Sequence, residues 1–147
     1  MKALSRRALF GFLAGGVAVL ATGEANALSW GRKSCHQFRR DVLDQDAVVT
    51  ARVTRILARV ESEGGRSSEI EARVTRAITG AMQPGRTFLF TARIYELNGM
   101  NVGYIPDEGD DTVLFLVRRE SARGGWAVES AMPESQYNGW AARRCAP

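Results

Sequence analysis

Few residues of this chain have the types and spacing that catalysis would need. His36 is the only histidine and could act as a general base, but it stands in a basic segment, where a solvated side chain is the more ordinary interpretation. No nucleophile is spelled out beside a base, and no phosphate-binding loop of the GxxxxGK type occurs. The sequence therefore predicts no catalytic residue, no cofactor and no resident metal.

An acidic segment is the second place where chemistry could occur. Four carboxylates fall within the five residues from Asp107 to Asp111, and carboxylate oxygens are the ligands that calcium prefers. Their spacing is not that of a calcium-binding loop. We expect a solvated surface loop here, and cation binding stays open.

Arginine pairs and tryptophans could serve binding instead of catalysis. Basic grooves with stacked aromatics bind single strands of nucleic acid, and residues 28–147 contain three arginine pairs: Arg39-Arg40, Arg118-Arg119 and Arg143-Arg144. Acidic neighbours such as Asp41 and Glu120 favour solvated pairs, so nucleic acid is not expected as a partner. Trp126 and Trp140 could be stacking platforms, although the strand pattern around Trp126 favours core packing.

The amino terminus has the composition of a cleavable export signal. Basic residues precede an apolar stretch over residues 8–22, which is shorter than the roughly 20 residues of a permanent membrane helix. Small side chains at Ala25 and Ala27 suit signal peptidase, so cleavage is predicted between Ala27 and Leu28. Residues 1–27 are thus predicted to be a signal peptide, and residues 28–147 a single periplasmic or secreted domain without a membrane span.

The export route is indicated by Arg6 and Arg7. The segment Ser5-Arg6-Arg7-Ala8-Leu9-Phe10 resembles the twin-arginine signal. Gly11 stands where a lysine is usual, so the general secretory route stays open, although the adjacent arginines favour twin-arginine transport. Either secretion machinery would be a partner during export only.

Two cysteines, Cys35 and Cys145, remain for the mature chain, whose charges nearly balance. The leader holds three of the 20 basic and one of the 16 acidic residues, which leaves 17 against 15 and a weak case for an anionic partner. An oxidising compartment would pair the cysteines and stabilise the fold by about 4 to 5 kcal/mol in the chain-entropy model. A reactive thiol or a thiolate metal site is the alternative, but the sequence has no second Cys/His cluster and His36 is its only histidine.

Alternation of apolar and polar residues predicts a long first strand over residues 46–60. Val49, Ala51 and Val53 share one face, and the apolar phase slips by one residue after Arg55, which predicts a β-bulge or bend. The apolar residues from Val53 to Val60 also fit one face of a helix. A strand is the favoured interpretation.

Four further strands are expected, separated by glycine-containing turns. Residues 112–117 are apolar on both faces, which is typical of a central strand; the other strands are expected near residues 70–74, 88–94 and 126–128. Residues 95–111 are expected to be an irregular excursion, and residues 132–147 a loop or short helix. Matching strand phases predict one barrel interior lined by Val49, Val53, Val74, Phe88, Phe90, Val113, Phe115 and Val128.

The order of these signals resembles netrin-like domains, a family whose best-known members are the tissue inhibitors of metalloproteinases. The resemblance covers residues 46–128 and rests on AVVTARV, RAITG, PGRTFLF, GDDTVLFLVRR and GGWAV in that order. It implies an all-β fold, a small five-stranded OB-like barrel with irregular termini; a β-sandwich is the next candidate. Those inhibitors chelate zinc through an amino-terminal cysteine, whereas seven residues precede Cys35 after the predicted cleavage.

These observations favour an exported, non-catalytic binding or interaction module. Its partner is expected to be a protein or another ligand of the cell envelope. The alternatives are a small periplasmic enzyme and a structural component of an envelope assembly. A fold supports many functions, so the resemblance predicts the fold better than the activity.

Overall fold

The computed structural model of the protein describes residues 33–146. The predicted signal peptide, with Arg6, Arg7 and the Ala27–Leu28 cleavage site, lies outside the described residues. Within them the chain is mostly β, with two short helices. In chain order the elements are α1 (Cys35–Leu43), β1 (Ala47–Ser62), β2 (Gly65–Thr79), β3 (Thr87–Leu97), β4 (Met100–Gly103), β5 (Asp111–Arg118), a single turn of 3-10 helix (Arg123–Gly125), β6 (Trp126–Pro133) and α2 (Glu134–Ala142).

The strands form one antiparallel sheet in the order β4-β3-β2-β1-β5-β6, curled into a half-barrel. The mostly β architecture is confirmed, but the count of five strands is wrong. The sixth is β4, which pairs with β3 across the turn Asn98-Gly99. Both turn residues have positive φ, as a two-residue type I′ hairpin requires. Half of the expected irregular excursion is therefore regular hairpin.

Strand β1 is long and bent, as its sequence pattern predicts, and the helical alternative is wrong. Its pairing with β2 shifts register between Val53 and Arg55 and again between Ile56 and Ala58. Each shift adds a residue to β1 and increases the local bend. The first of them accounts for the phase slip in the sequence.

The core is divided between the two faces of the sheet. The concave face carries one buried cluster, which includes Val49, Val53, Val74, Phe88, Phe90 and Val128. The prediction that Val113 and Phe115 join it is wrong: they lie in a second cluster on the convex face, under the helices. Their neighbours Leu114 and Leu116 belong to the concave cluster instead. Because β5 is apolar on both faces, the period-two pattern could not tell which set points inward.

The predicted irregular termini contain two helices joined by a disulfide bond. Helix α1 begins with a capping box, in which Ser34 and Gln37 each accept a hydrogen bond from the other's backbone N–H. In α2, the Trp140 ring stacks on Phe38 of α1 at a centroid distance of 4.4 Å. The Cys35–Cys145 bond is confirmed and closes this layer. Neither these helices nor any other in residues 33–146 is long and apolar enough to cross a membrane.

Candidate functional site

The residues that could do chemistry are not brought together. His36 lies exposed in the first turn of α1, next to a cysteine that is held in the disulfide. Across residues 33–146, no three side chains of the His, Cys, Asp or Glu type converge as a metal site would need. Within the described part of the chain, His36 has no hydrogen-bond partner that would orient it as a base.

The acidic segment fastens the loop before β5 to β1. Glu108 Oε1 accepts a hydrogen bond from the backbone N–H of Ile56 at 3.1 Å, and Asp110 Oδ2 accepts one from the N–H of Asp107 at 2.9 Å. Val53 exchanges backbone hydrogen bonds with this loop, donating to Asp110 and accepting from Gly109. Glu108 and Asp110 therefore have structural roles in holding this loop.

Asp111, the last member of the run, is paired with Arg52 directly across the β1–β5 ladder. Two hydrogen bonds from the guanidinium lower the pKa of the Asp111 carboxyl, and the same contact raises the pKa of Arg52. On the neighbouring strand, hydrogen bonds from Thr54 and then Arg55 lower the pKa of Glu71. Both carboxylates therefore stay ionised as parts of cross-strand pairs on the polar portion of the convex face.

The three arginine pairs do not form one common basic groove. Arg39 donates from Nη2 to the carbonyl of Arg144 at 2.6 Å, so two pairs meet beside the disulfide. Arg118 and Arg119 belong to the β5 end, where the Arg118 backbone N–H donates to Asp46. The arginines thus serve mainly to fix chain ends and strand ends.

Trp126 and Trp140 are both used in packing. Trp140 is buried against Phe38 and has the guanidinium of Arg143 over its ring at 4.3 Å. Trp126 is half-buried against the concave cluster, with Arg118 over its ring at 4.8 Å. The expected core role of Trp126 agrees with this placement, and neither ring is left as an open stacking platform.

A projecting part of the sheet remains as the candidate interaction site. Strand β5 pairs with β1 only over residues 47–52, and the sheet continues beyond this point. We name this continuation the arm; it consists of residues 56–62 of β1, 65–71 of β2, 91–97 of β3, and β4. The helices pack on the other end of the sheet, against the cluster that contains Val48 and Val113. The convex face of the arm therefore lacks the cover that α1 and α2 give to the rest.

The convex face of the arm carries exposed apolar side chains. Phe90 and Ala92 point to the concave core, so strand alternation places Tyr95 and Leu97 on the convex face. Cross-strand register adds three more residues to this face, namely Val60, Met100 and Val102. We call these five residues the arm patch. Exposure reaches 57% for Val60, 45% for Leu97 and 56% for Met100, whereas Val102 is buried.

Tyr95 is held in place at the centre of the arm patch. Arg93 donates from Nη1 to the Tyr95 hydroxyl at 2.7 Å, and its guanidinium lies 5.0 Å from the centre of the same ring. Opposite Tyr95 on β2 is Gly65, where an added Cβ would approach the carbonyl oxygen of Ile94 to 2.5 Å. Glycine at this position permits the close approach of β2 and β3 beneath the patch. The result is an aromatic ring that is held in one position among apolar side chains.

β4 is not among the strands that are predicted from the sequence, and without β4 the arm patch is not predicted either. Asn98-Gly99 between apolar residues is the strongest short hairpin signal, and it would have placed Leu97 opposite Met100 across a two-residue turn. A comparison of the chain with known protein families, with curated proteins and with solved structures gives no match.

Proposed function

We propose that the mature chain is an exported, non-catalytic interaction module that binds a protein partner through the arm patch. The observation that carries this proposal is that exposed Val60, Leu97 and Met100 share a sheet face with Tyr95, and that α1 and α2 do not pack on this part of the face. Contiguous apolar surface on a small domain is a sign of binding. Its composition fits a protein interface, because tyrosine, methionine and arginine are enriched in interface cores.

The partner's matching surface must be apolar with an acceptor at its rim. Tyr95 offers a rigid ring that can enter a shallow pocket, as interface anchors do. The Tyr95 hydroxyl accepts a hydrogen bond from Arg93, which fixes its position. Glu96 and Asn101 are paired and exposed, but strand alternation places them on the concave face, opposite the arm patch.

The fold class that we propose is an open, netrin-like version of the OB barrel. The curled antiparallel sheet and the long bent β1 support it, as does the disulfide that joins the termini. The zinc-chelating mechanism of the metalloproteinase inhibitors is not carried over, because Cys35 is preceded in the chain by Lys33 and Ser34, is the first residue of α1 and is held in the disulfide. The partner is therefore proposed from the arm patch and not from the family.

A periplasmic or secreted location is part of the same proposal. The Cys35–Cys145 bond supports it, since structural disulfides persist in oxidising compartments. The signal peptide at residues 1–27, with twin-arginine transport favoured, would deliver the chain there.

The test is capture of an envelope partner by the mature protein and by two variants. Leu97→Ser combined with Met100→Ser removes apolar surface from the arm patch, while Leu43→Ser is the control, because Leu43 is 62% exposed but lies on α1. We expect a protein to be captured by the native chain and the control, and to be lost with the double variant. Equal capture by all three would contradict the proposed site. Turnover of an ester, peptide or glycan that His36→Ala abolishes would contradict the non-catalytic function.

A further inference from the structure

One edge of β1 is left open in the arm. β5 accompanies β1 only to Arg52, and the loop before β5 covers the next residues as far as Ile56. Residues 58–62 then pair with β2 on one side, and no other segment of residues 33–146 pairs with them on the other. Unpaired N–H and C=O groups along such an edge are a template for another strand.

The register of the hairpin determines which backbone groups point outward. Glu63-Gly64 is a two-residue turn, so Ser62 and Gly65 form a hydrogen-bonded pair that faces inward. Because orientation alternates along an antiparallel ladder, the N–H and C=O groups of Arg59 and Glu61 point to the open edge. The arm thus presents two outward-facing residues with opposite charges, separated by one position.

This edge is complementary to itself. If a second copy lies antiparallel to it with the two-fold axis at Val60, Arg59 of each copy stands opposite Glu61 of the other. Both are outward-facing, so each pair can exchange two backbone hydrogen bonds, and the opposite charges stabilise the same register. A shift by two residues would place Arg59 opposite Arg59 or Glu61 opposite Glu61, which like-charge repulsion disfavours. Two-fold symmetry is the commonest arrangement of protein oligomers.

We propose that residues 58–62 of β1 bind the same segment of a second copy, so that the two arms join into one continuous sheet in a symmetric dimer. The Val60 side chains of the two copies meet at the axis on the convex face, and they connect the two arm patches. This self-association uses a strand edge, and it is separate from the binding of another protein by the arm patch. Natural edges that avoid pairing carry charged side chains, proline or a bulge; here the nearest bulge ends at Ala58, residues 58–62 contain no proline, and the charges of Arg59 and Glu61 are matched in the two-fold register.

The test uses charge reversal in a mixing experiment. Arg59→Glu alone and Glu61→Arg alone each place like charges opposite one another twice in a homodimer. Sedimentation should therefore show a dimer for the native mature protein and a monomer for each single variant. An equimolar mixture of the two variants restores two opposite-charge pairs per dimer, and it should form a heterodimer. The double variant Arg59→Glu, Glu61→Arg should dimerise again.

A second variant tests the backbone part of the interface. The N–H of Arg59 faces away from β2, so Arg59→Pro removes no hydrogen bond within the chain, and edge strands tolerate proline. Dimerisation should be lost while the thermal unfolding transition is retained. A native protein that stays monomeric at millimolar concentration, a mixture that fails to associate, or a different protein's strand found paired along Arg59 would overturn the proposal. Leu97→Ser with Met100→Ser should still dimerise, so loss of the proposed partner and loss of the dimer are separate outcomes.

Discussion

Arg52 donates two hydrogen bonds to the Asp111 carboxylate, from Nε to Oδ1 at 3.0 Å and from Nη2 to Oδ2 at 2.9 Å. The pair lies where β5 begins and where β1 continues alone into the arm. A two-pronged contact of this kind fixes geometry as well as charge. Arg52 and Asp111 therefore hold the base of the arm against the rest of the sheet.

This pair should make stability depend on pH. Arg52 lowers the pKa of Asp111 in the folded protein, so the stabilisation is present above the unfolded pKa of about 3.9 and is lost as the pH falls through the lower folded pKa. Asp111→Asn should flatten the acid limb of a plot of unfolding free energy against pH, measured by urea denaturation. Arg52→Gln removes the donor and should give the same flattening. A steep acid limb retained in both variants would contradict this role.

Phe115 tests the division of the core between two faces. It is buried beneath the helices, with the Tyr137 ring of α2 6.5 Å away. Phe115→Ala should lower the free energy of unfolding by about 3 to 5 kcal/mol, as expected for removal of a buried aromatic. Leu114→Ala, on the opposite face, is the matched change. Both variants should lose stability in denaturation experiments, but Phe115→Ala should disturb the near-ultraviolet signal of Trp140 more than Leu114→Ala does. An equal disturbance of Trp140 by both changes would contradict the two-face arrangement.

The disulfide should contribute more to stability than any one surface contact. Cys35→Ser with Cys145→Ser opens a loop whose ends are 110 residues apart, and the chain-entropy model gives a loss of about 4 to 5 kcal/mol. Denaturation of the reduced native protein should show the same loss. A difference below about 0.5 kcal/mol, the size of an ordinary surface change, would mean that the bond does not constrain the unfolded chain.

The predicted signal peptide determines the amino terminus of the exported form. Amino-terminal sequencing should give Leu28 as the first residue, and recovery of intact residues 1–27 on a membrane fraction would contradict cleavage. Arg6→Lys with Arg7→Lys keeps the charge that general secretion uses but should block twin-arginine export. Continued export of that variant would reject the twin-arginine route.

The strands that alternate cleanly could be predicted from sequence, and those buried on both faces could not be oriented. β1 shows period two and even its bulge, because one of its faces is wet over most of its length. β5 gives no such contrast, so the side on which Phe115 lies depends on the helices that pack there. Helix α1 had a local signal, the Ser34 to Gln37 capping box, before Phe38 and Val42.

The candidate site was harder to predict than the fold because it depends on long-range register. Val60 and Tyr95 share a face only through the pairing of β1, β2 and β3, which no local pattern reports. The acidic residues that could bind a cation are visible in the sequence. In the structure, Glu108 and Asp111 instead accept hydrogen bonds from residues of β1. Sequence types alone could not separate such structural carboxylates from ligands.

Site-specific photo-crosslinking in the living cell is the most direct test of the claim that the arm patch binds a protein partner. A photoreactive phenylalanine analogue would replace Leu97 in one strain and Leu43, the more exposed control on α1, in another. We expect one discrete adduct with a different protein from position 97, absent from position 43 and abolished by Met100→Ser. An adduct that forms equally from position 43, or none from position 97 while the exported protein is folded and oxidised, would contradict it.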